Sequence, residues 1–309
     1  MAHYLVTGGA GFIGSNVIRK LLEQGHQVRV LDNFLTGKRE NLTGVSNDID
    51  LIEGDLRDFD TVKMAVKTCD YVLHIGALPS VPRSVEDPLR SHDININGTV
   101  YVLEAARQEG VKRVVFSSSS SVYGDTPTLP KQEDMPLRPL SPYATNKATG
   151  EMYCGVYYRI FQLETVCLRY FNVFGPRQDP ASQYSAVIPK FIAAFQAGEQ
   201  PTIHGDGEQS RDFTFVDNVV FANIAASTAP NAAGEVINIA CGSRISVNEL
   251  AQRIGALLGK EVNPQYSPAR AGDVKHSLAD ITKAQNLLGY SNMIDIRDGL
   301  DKTIEWFTH

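Results

Sequence analysis

The sequence predicts an α/β protein: a doubly wound parallel sheet with a smaller C-terminal lobe. Three observations lead there. Through the first half of the chain, short apolar strand-like runs alternate with helical patterns, which argues for a parallel sheet covered on both faces. A glycine-rich turn, Gly8 to Gly14, stands between the first strand and the first helix. After Arg169 the texture changes, and Pro176, Pro180, Pro189, Pro201, Pro264 and Pro268 punctuate shorter elements.

The strand-like runs are Tyr4–Thr7, Val28–Leu31, Leu51–Glu53, Tyr71–His74, Val114–Ser117 and Thr165–Arg169. Helical patterns fall at Phe12–Gln24, Thr61–Val66, Leu89–Gln108 and Pro142–Phe161. Two later segments, Phe213–Val216 and Val236–Ala240, read as sheet material and are expected to return to the main sheet. Residues 1–169 with 212–240 then form a cofactor-binding domain, and residues 170–211 with 241–309 a substrate-binding lobe.

Gly9, Gly11 and Gly14 satisfy G-x-G-x-x-G in strand–turn–helix context, where backbone amides can approach a pyrophosphate at the helix N-terminus. The sheet is therefore expected to be Rossmann-like. Asp32 ends the second strand, 18 residues after Gly14. A carboxylate there accepts hydrogen bonds from ribose hydroxyls and repels a 2′-phosphate, which favours NAD over NADP. Lys38 and Arg39 lie close by. Asp55 follows the third strand and is placed to meet the adenine edge, or to cap its own turn.

Tyr143 and Lys147 are four residues apart on a predicted helix and so share a face. An ammonium beside a phenol favours the phenolate and pulls its pKa down from about 10. A Tyr so tuned could take a proton from a sugar hydroxyl. The alternative is an ordinary pair on a solvated helix. Ser117 to Ser121 follow the apolar strand Val114-Val115-Phe116, at the edge where open α/β sheets bind ligands. Some of these serines are expected only to cap backbone.

The 309-residue chain is 43% hydrophobic and 21% charged, with net charge −6. No basic face points to nucleic acid or an anionic membrane, and no apolar run reaches the ~18–20 residues of a membrane span. Cys69, Cys154, Cys167 and Cys241 have neither zinc nor disulfide spacing, and no metal is expected. With no secretory signal pattern at the N-terminus, a cytoplasmic protein is expected.

Taken together, Thr7–Gly14, Asp32-Asn33, Gly54-Asp55, Ser117–Ser119, Tyr143–Lys147 and Arg169–Pro176 resemble the extended short-chain dehydrogenase/reductase family. The resemblance covers nearly the whole chain. Within the family the sequence is similar to nucleotide-sugar 4-epimerases, and most similar to bacterial UDP-N-acetylglucosamine 4-epimerases. Ala77–Ser84, Arg177–Pro180 and Gly272–Ser277 carry that closer match; Pro79 departs from it, since the pattern has a glycine there.

The resemblance implies roles. Tyr143 is the acid/base, Lys147 tunes it and binds the nicotinamide ribose, and Ser119 bonds the reacting hydroxyl. Gly8, Gly11, Phe12, Ile13, Asp32, Asn33, Gly37, Asp55, Leu56, Ala77, Asn95, Tyr143, Lys147 and Tyr170 fall where NAD is held. Ser80, Ser119, Ser120, Tyr143, Asn172, Val187, Arg211, Arg270, Asp273 and Ser277 fall where the UDP-sugar is held; Ser277 flanks the sugar, and a small residue there leaves room for an N-acetyl group. Guanidinium forks suit a diphosphate, which agrees with Arg211 and Arg270. Related dehydratases carry Asp–Glu, and decarboxylases Glu, before the Val-Tyr-Gly triplet. This chain has Ser120 and Ser121 before Val122-Tyr123-Gly124, which disfavours elimination and leaves oxidation followed by re-reduction at C4. A net dehydrogenase or reductase with exchangeable NAD(P), and a non-catalytic dinucleotide sensor, stay open as alternatives.

Val100, Leu103, Met152, Tyr153, Val156 and Tyr157 put apolar and aromatic residues on more than one face of the two long helices. One face should cover the sheet. The other is expected to pair in a symmetric four-helix contact between two copies, as in the resembling family.

Overall fold

The computed structural model describes residues 1–180, 187–268, 274–291 and 293–308. Six strands follow the sequence pattern closely: β1 His3–Thr7, β2 Gln27–Asp32, β3 Asp50–Glu53, β4 Tyr71–His74, β5 Arg113–Ser119 and β6 Glu164–Tyr170. A seventh, Val236–Ile239, lies at the edge beside β6. All seven are parallel, in the order Val236–Ile239, β6, β5, β4, β1, β2, β3. This is the Rossmann-like doubly wound arrangement. Its strand order reverses between β1 and β4, and ligands of such sheets bind outside the carboxyl ends of those strands.

Both faces of the sheet are buried, so strand residues are apolar in succession rather than in alternation. Tyr4 and Val6 pack on one face with Ile18, Leu21, Val219, Ala222 and Ala226. Leu5, between them, packs on the other with Val62, Ala65, Val102, Leu103, Ala106 and Tyr157. Helix α1 Phe12–Glu23 and the helix Val216–Thr228 therefore cover the first face. Helices α2 Phe59–Val66, α5 Gly98–Gln108 and α6 Pro142–Phe161 cover the second. Between α2 and α5 lie two short helices, α3 Val81–Glu86 and α4 Pro88–His92.

Two expectations are corrected here. The pattern over Leu89–Gln108 predicts one helix; the structure has α4, a π-turn at Asp93–Asn97 and α5 in unbroken succession. The π-turn lets the side chain of Asn95 reach the main chain of Leu78, at the kind of functional wall where such turns occur. The segment Phe213–Val216 does not join the main sheet. Thr214–Phe215 pairs only with Val173–Phe174 in a separate two-stranded ribbon. The free edge of β6 is taken by Val236–Ile239, and from Val216 the chain turns into the helix that covers the first face. No helix among the described residues is long and apolar enough to cross a membrane.

Candidate active site

The turn after β1 sets the first wall. Gly8 has φ +68°, and a β-carbon there would stand 2.6 Å from Cα of Gly76, at the end of β4. Only glycine suits both demands. The amide of Gly11 donates to the carbonyl of Gly8 at 3.1 Å. Gly11 caps α1 without any side-chain hydrogen bond, so the first amides of the helix are left for a ligand.

Gly8, Gly11, Phe12, Ile13, Asp32, Asn33, Gly37, Asp55, Leu56, Ala77, Ser80, Tyr143, Lys147 and Tyr170 all line one crevice of about 750 Å³. Asp32 is 7% exposed; its carboxylate accepts the amides of Ala10 at 2.9 Å and Phe34 at 2.8 Å. It braces the loop and still has lone pairs for a ribose. Lys38 pairs with Asp179 at 3.0 Å and Arg39 with Glu53 at 2.5 Å, so both cations beside the adenosine end are matched by acids. An uncapped helix N-terminus, a glycine turn and a buried carboxylate suit a dinucleotide without a 2′-phosphate.

Two residues expected at the cofactor are also tied to the protein itself. Asp55 accepts Arg57 from its backbone amide and guanidinium and the side-chain amide of Asn33. Arg57 holds its carboxyl well below the usual range, as befits a committed ion pair and turn cap. Asn95 is not part of the described crevice wall. It stands behind it, accepting Leu78 N–H at 2.7 Å and donating to the Leu78 carbonyl at 3.0 Å.

A second cavity, about 290 Å³, is lined by Ser119, Ser120, Ser121, Gly124, Lys131, Tyr143, Tyr170, Asn172, Arg211, His276 and Ser277 among others. No carboxylate is among its described lining residues. Asn172 and Ser277 are hydrogen-bonded at 3.1 Å. Arg211 donates to the carbonyls of Ser210 and Lys275. Ser80 lines the crevice rather than this cavity, and caps α3 by accepting Arg83 N–H at 3.3 Å. Val187 opens the helix Val187–Gln196 and is in neither described lining. Arg270 and Asp273 lie outside the described residues.

Tyr143 and Tyr170 line both cavities. The α6 helix begins at Ser141, whose hydroxyl caps Ala144 N–H at 3.1 Å, with Pro142 in the first turn. That start places Tyr143 at the junction, where its amide donates to Ser84 at 3.0 Å. Lys147, one turn on, is 4% exposed, and its Nζ donates to the carbonyl of Ser117 at 2.7 Å. Nζ is 5.9 Å from the centre of the Tyr143 ring. Tyr170 hydroxyl completes the chain, at 2.8 Å from Oγ of Ser117 and donating to Asn223 at 2.9 Å.

The electrostatics correct one expectation. In this structure the phenol of Tyr143 is not lowered: dense packing pushes it up to about 12, and a hydrogen bond with Ser119 acts in the opposite direction. Burial pulls Lys147 down to about 8. The ammonium is turned to Ser117, so the protein alone does not hold the phenolate.

Sequence reasoning passed over two groups. His74 is 1% exposed, bridges Thr7 at 2.8 Å and Thr99 at 3.0 Å, and is pulled down to about 3 by burial. Glu151 and Arg169 form an ion pair at 2.8 Å, both side chains almost wholly buried. The spacing Tyr143, Lys147, Glu151 was the available signal. A larger groove of about 1200 Å³, against α1, Val216–Thr228 and the C-terminal helix Ile296–Thr308, holds none of Ser119, Tyr143 and Lys147.

A parallel doubly wound sheet, a crevice at its switch point walled by Tyr143 and Lys147, and Ser119 in the adjoining cavity are the arrangement of a short-chain dehydrogenase. Comparison with known proteins narrows this. The chain belongs to the NAD dependent epimerase/dehydratase family, whose model matches residues 4–240. It is 40% identical over 307 residues to the UDP-glucose 4-epimerase of Mycolicibacterium smegmatis, across 98% of this chain and 97% of that one. The UDP-N-acetylglucosamine 4-epimerase of Methanobrevibacter ruminantium, solved with UDP-N-acetylmuramic acid, is 42% identical, with a TM-score of 0.94 over 99% of this chain and 98% of that one. The UDP-glucose 4-epimerase of Thermus thermophilus, solved with NAD, is 36% identical, with a TM-score of 0.91 over 99% of both chains.

Proposed function

We propose that this protein is an NAD-dependent UDP-sugar 4-epimerase. One observation carries the reading: Tyr143 is shared by the dinucleotide crevice, which also holds Lys147, and the smaller cavity, which also holds Ser119. A sugar hydroxyl in the smaller cavity thus meets its proton acceptor at the boundary with the cofactor. The serines at 120 and 121 and the lack of a described carboxylate in that cavity favour epimerisation over elimination.

Bound NAD⁺ supplies the hydride acceptor and, when reduced, the hydride donor. Tyr143 removes the proton of the C4 hydroxyl and returns it after the keto sugar has turned over. Ser119 orients that hydroxyl and shares the proton path. Lys147, held by the Ser117 carbonyl, supplies positive charge near the phenol and would hold the nicotinamide ribose. An oxidised nicotinamide bound there would add a second positive charge, which favours the phenolate. Asn172, Arg211 and Ser277 hold the uridine diphosphate and flank the sugar. Asp32 and the α1 amides hold the adenosine and pyrophosphate. Residues 1–169 with 212–240 serve the cofactor, and 170–211 with 241–309 the sugar nucleotide.

The substrate set includes UDP-N-acetylglucosamine and UDP-glucose, because Ser277 leaves space beside the cavity. A homodimer is part of the same reading. Leu103 and Tyr157 turn out to be core residues, whereas Met152, Val156 and Ile160 are 61%, 40% and 68% exposed and recur on one face of α6. That stripe would pair with its copy in a four-helix contact. The four cysteines are unpaired, in keeping with a cytoplasmic setting.

The test is incubation with UDP-glucose, UDP-N-acetylglucosamine and UDP-glucuronate, with products resolved by proton NMR. Interconversion of C4 epimers without net NADH is expected. Net NADH production, or no conversion of any of the three, would reject the reading.

A further inference from the structure

Tyr143, Lys147 and Glu151 stand at four-residue intervals on α6. The first two serve the epimerase reading, and a role for the third in turnover rests on that reading. Glu151 is 7% exposed. Its Oε1 accepts the hydroxyl of Ser118 at 2.5 Å and Nε of Arg169 at 2.9 Å; its Oε2 accepts Nη2 of Arg169 at 2.8 Å. Arg169 in turn donates to the hydroxyl of Tyr123 at 2.8 Å and to the Glu133 carbonyl at 3.2 Å. Stability alone is a poor reason for such a pair, because desolvation offsets most of the attraction and an apolar pair of similar volume serves as well.

Its position gives a better reason. Ser118 lies between Ser117, whose carbonyl takes the ammonium of Lys147, and Ser119, whose hydroxyl bonds the Tyr143 phenol. Glu151 therefore grips the residue of β5 whose two neighbours hold the acid–base pair. The groups that act on Lys147 are Tyr143, Glu151 and Cys154 on its own helix, His74 at the end of β4 and the Ser117 carbonyl on β5; Cys167, Arg169 and Tyr170 on β6 stand one contact further, against Cys154, Glu151 and Ser117. Glu151 is the carboxylate in that set.

We propose that Glu151 is a positioning residue: its buried carboxylate fixes the end of β5 to α6 and holds a negative charge one turn from Lys147. Burial pulls Lys147 down to about 8 while Cys154 and Glu151 act against that pull. Without the Glu151 charge, Lys147 would lose its proton more readily, and Arg169 would be left buried and unpaired.

The experiment tracks Lys147 itself. The full chain is labelled with [¹³Cε]lysine, and the Lys147 resonance is assigned by its loss in Lys147→Met. The midpoint of its titration should fall by about one pH unit in Glu151→Gln, the order expected of a nearby buried charge. It should stay within about 0.3 unit in Glu151→Asp, which keeps the charge. In UDP-sugar turnover, the alkaline limb of the kcat profile should move to lower pH with Glu151→Gln, lowering kcat about ten-fold above that limb while KM holds. An unmoved Lys147 midpoint in folded Glu151→Gln overturns the proposal. If that variant does not fold, the Lys147 midpoint of Glu151→Gln/Arg169→Gln is read against that of Arg169→Gln, so that only the Glu151 charge differs: a fall of about one pH unit is expected, and equal midpoints overturn the proposal. The NMR readout needs no activity, so a wild type that converts no UDP-sugar would sink the epimerase reading while the Lys147 midpoint still decided the role of Glu151.

Discussion

Asn172 donates from Nδ2 to Oγ of Ser277 at 3.1 Å, across 105 positions of sequence. Ser277 also accepts the amide of Asp212 at 3.3 Å. A residue just past β6 and a late loop are thus tied by one small hydroxyl in the wall of the smaller cavity. Ser277→Tyr would remove that acceptor and fill part of a space of about 290 Å³. The expected outcome is a fall of about 10–100-fold in kcat/KM for UDP-N-acetylglucosamine relative to UDP-glucose, the range that pocket size alone can discriminate. An unchanged ratio would mean that Ser277 does not gate the sugar.

Tyr143→Phe keeps the ring that lines both cavities and removes the proton-transfer group. Turnover should fall by about 10²–10⁴-fold, with bound NAD retained on purification. Absorbance of the released cofactor after denaturation checks the second half. Near-wild-type activity would take Tyr143 out of the mechanism.

Gly8→Ala places a methyl 2.6 Å from Cα of Gly76 at φ +68°. Backbone cannot retreat as a flexible side chain can. The variant should lose more than the ~1–2 kcal/mol that a left-handed backbone costs on its own, and should purify without cofactor. Urea denaturation together with cofactor content tests this; a variant as stable and as loaded as wild type would mean that the two turns can part.

His74 gives the protein an acid-side weakness. Burial pulls its pKa down to about 3, against about 6.5 in an unfolded chain. Between those values the unfolded state binds a proton that the folded state refuses, so stability is complete above about pH 6.5 and declines toward pH 3. The decline should amount to several kcal/mol from this one group. Thermal denaturation from pH 7 to pH 4 should show a steeper loss in wild type than in His74→Gln, whose side chain does not titrate. Parallel curves would refute it.

Light scattering at micromolar concentration should give about twice 33.9 kDa. Replacing Met152 and Ile160 with Glu should give the monomer mass, since like charges would then meet across the four-helix contact. A monomeric wild type would rule out the pairing of α6 with its copy.

Much of this was legible in the chain. The Tyr71–His74 strand and the Pro142–Phe161 helix coincide with their sequence readings, because apolar runs and an N-cap with Pro are local signals. The glycine turn was equally local. The features that escaped notice depend on partners far along the chain or on burial. The sequence reads Asp55 as meeting the adenine edge or capping its own turn; Arg57 and Asn33 show the cap, and the residue also lines the crevice. Phe213–Val216 has the composition of a strand, but Val236–Ile239 already occupies the open edge. The raised phenol of Tyr143 comes from burial, which spacing on a helix does not reveal.

The strand that completes the sheet comes late. Ser119, Tyr143 and Lys147 all precede β6, yet the outer edge of β6 is covered only by Val236–Ile239, and Asn238 of that strand accepts the Tyr123 hydroxyl at 2.7 Å. During synthesis the nascent chain therefore carries the site residues while β6 still shows a row of unpaired amides and carbonyls. Such an edge recruits other strands, and partly folded chains of this size aggregate through it. Fragments ending before residue 236 should collect in inclusion bodies, and the intact protein should gain most from slow translation or a chaperone that shields β6 until its neighbour emerges.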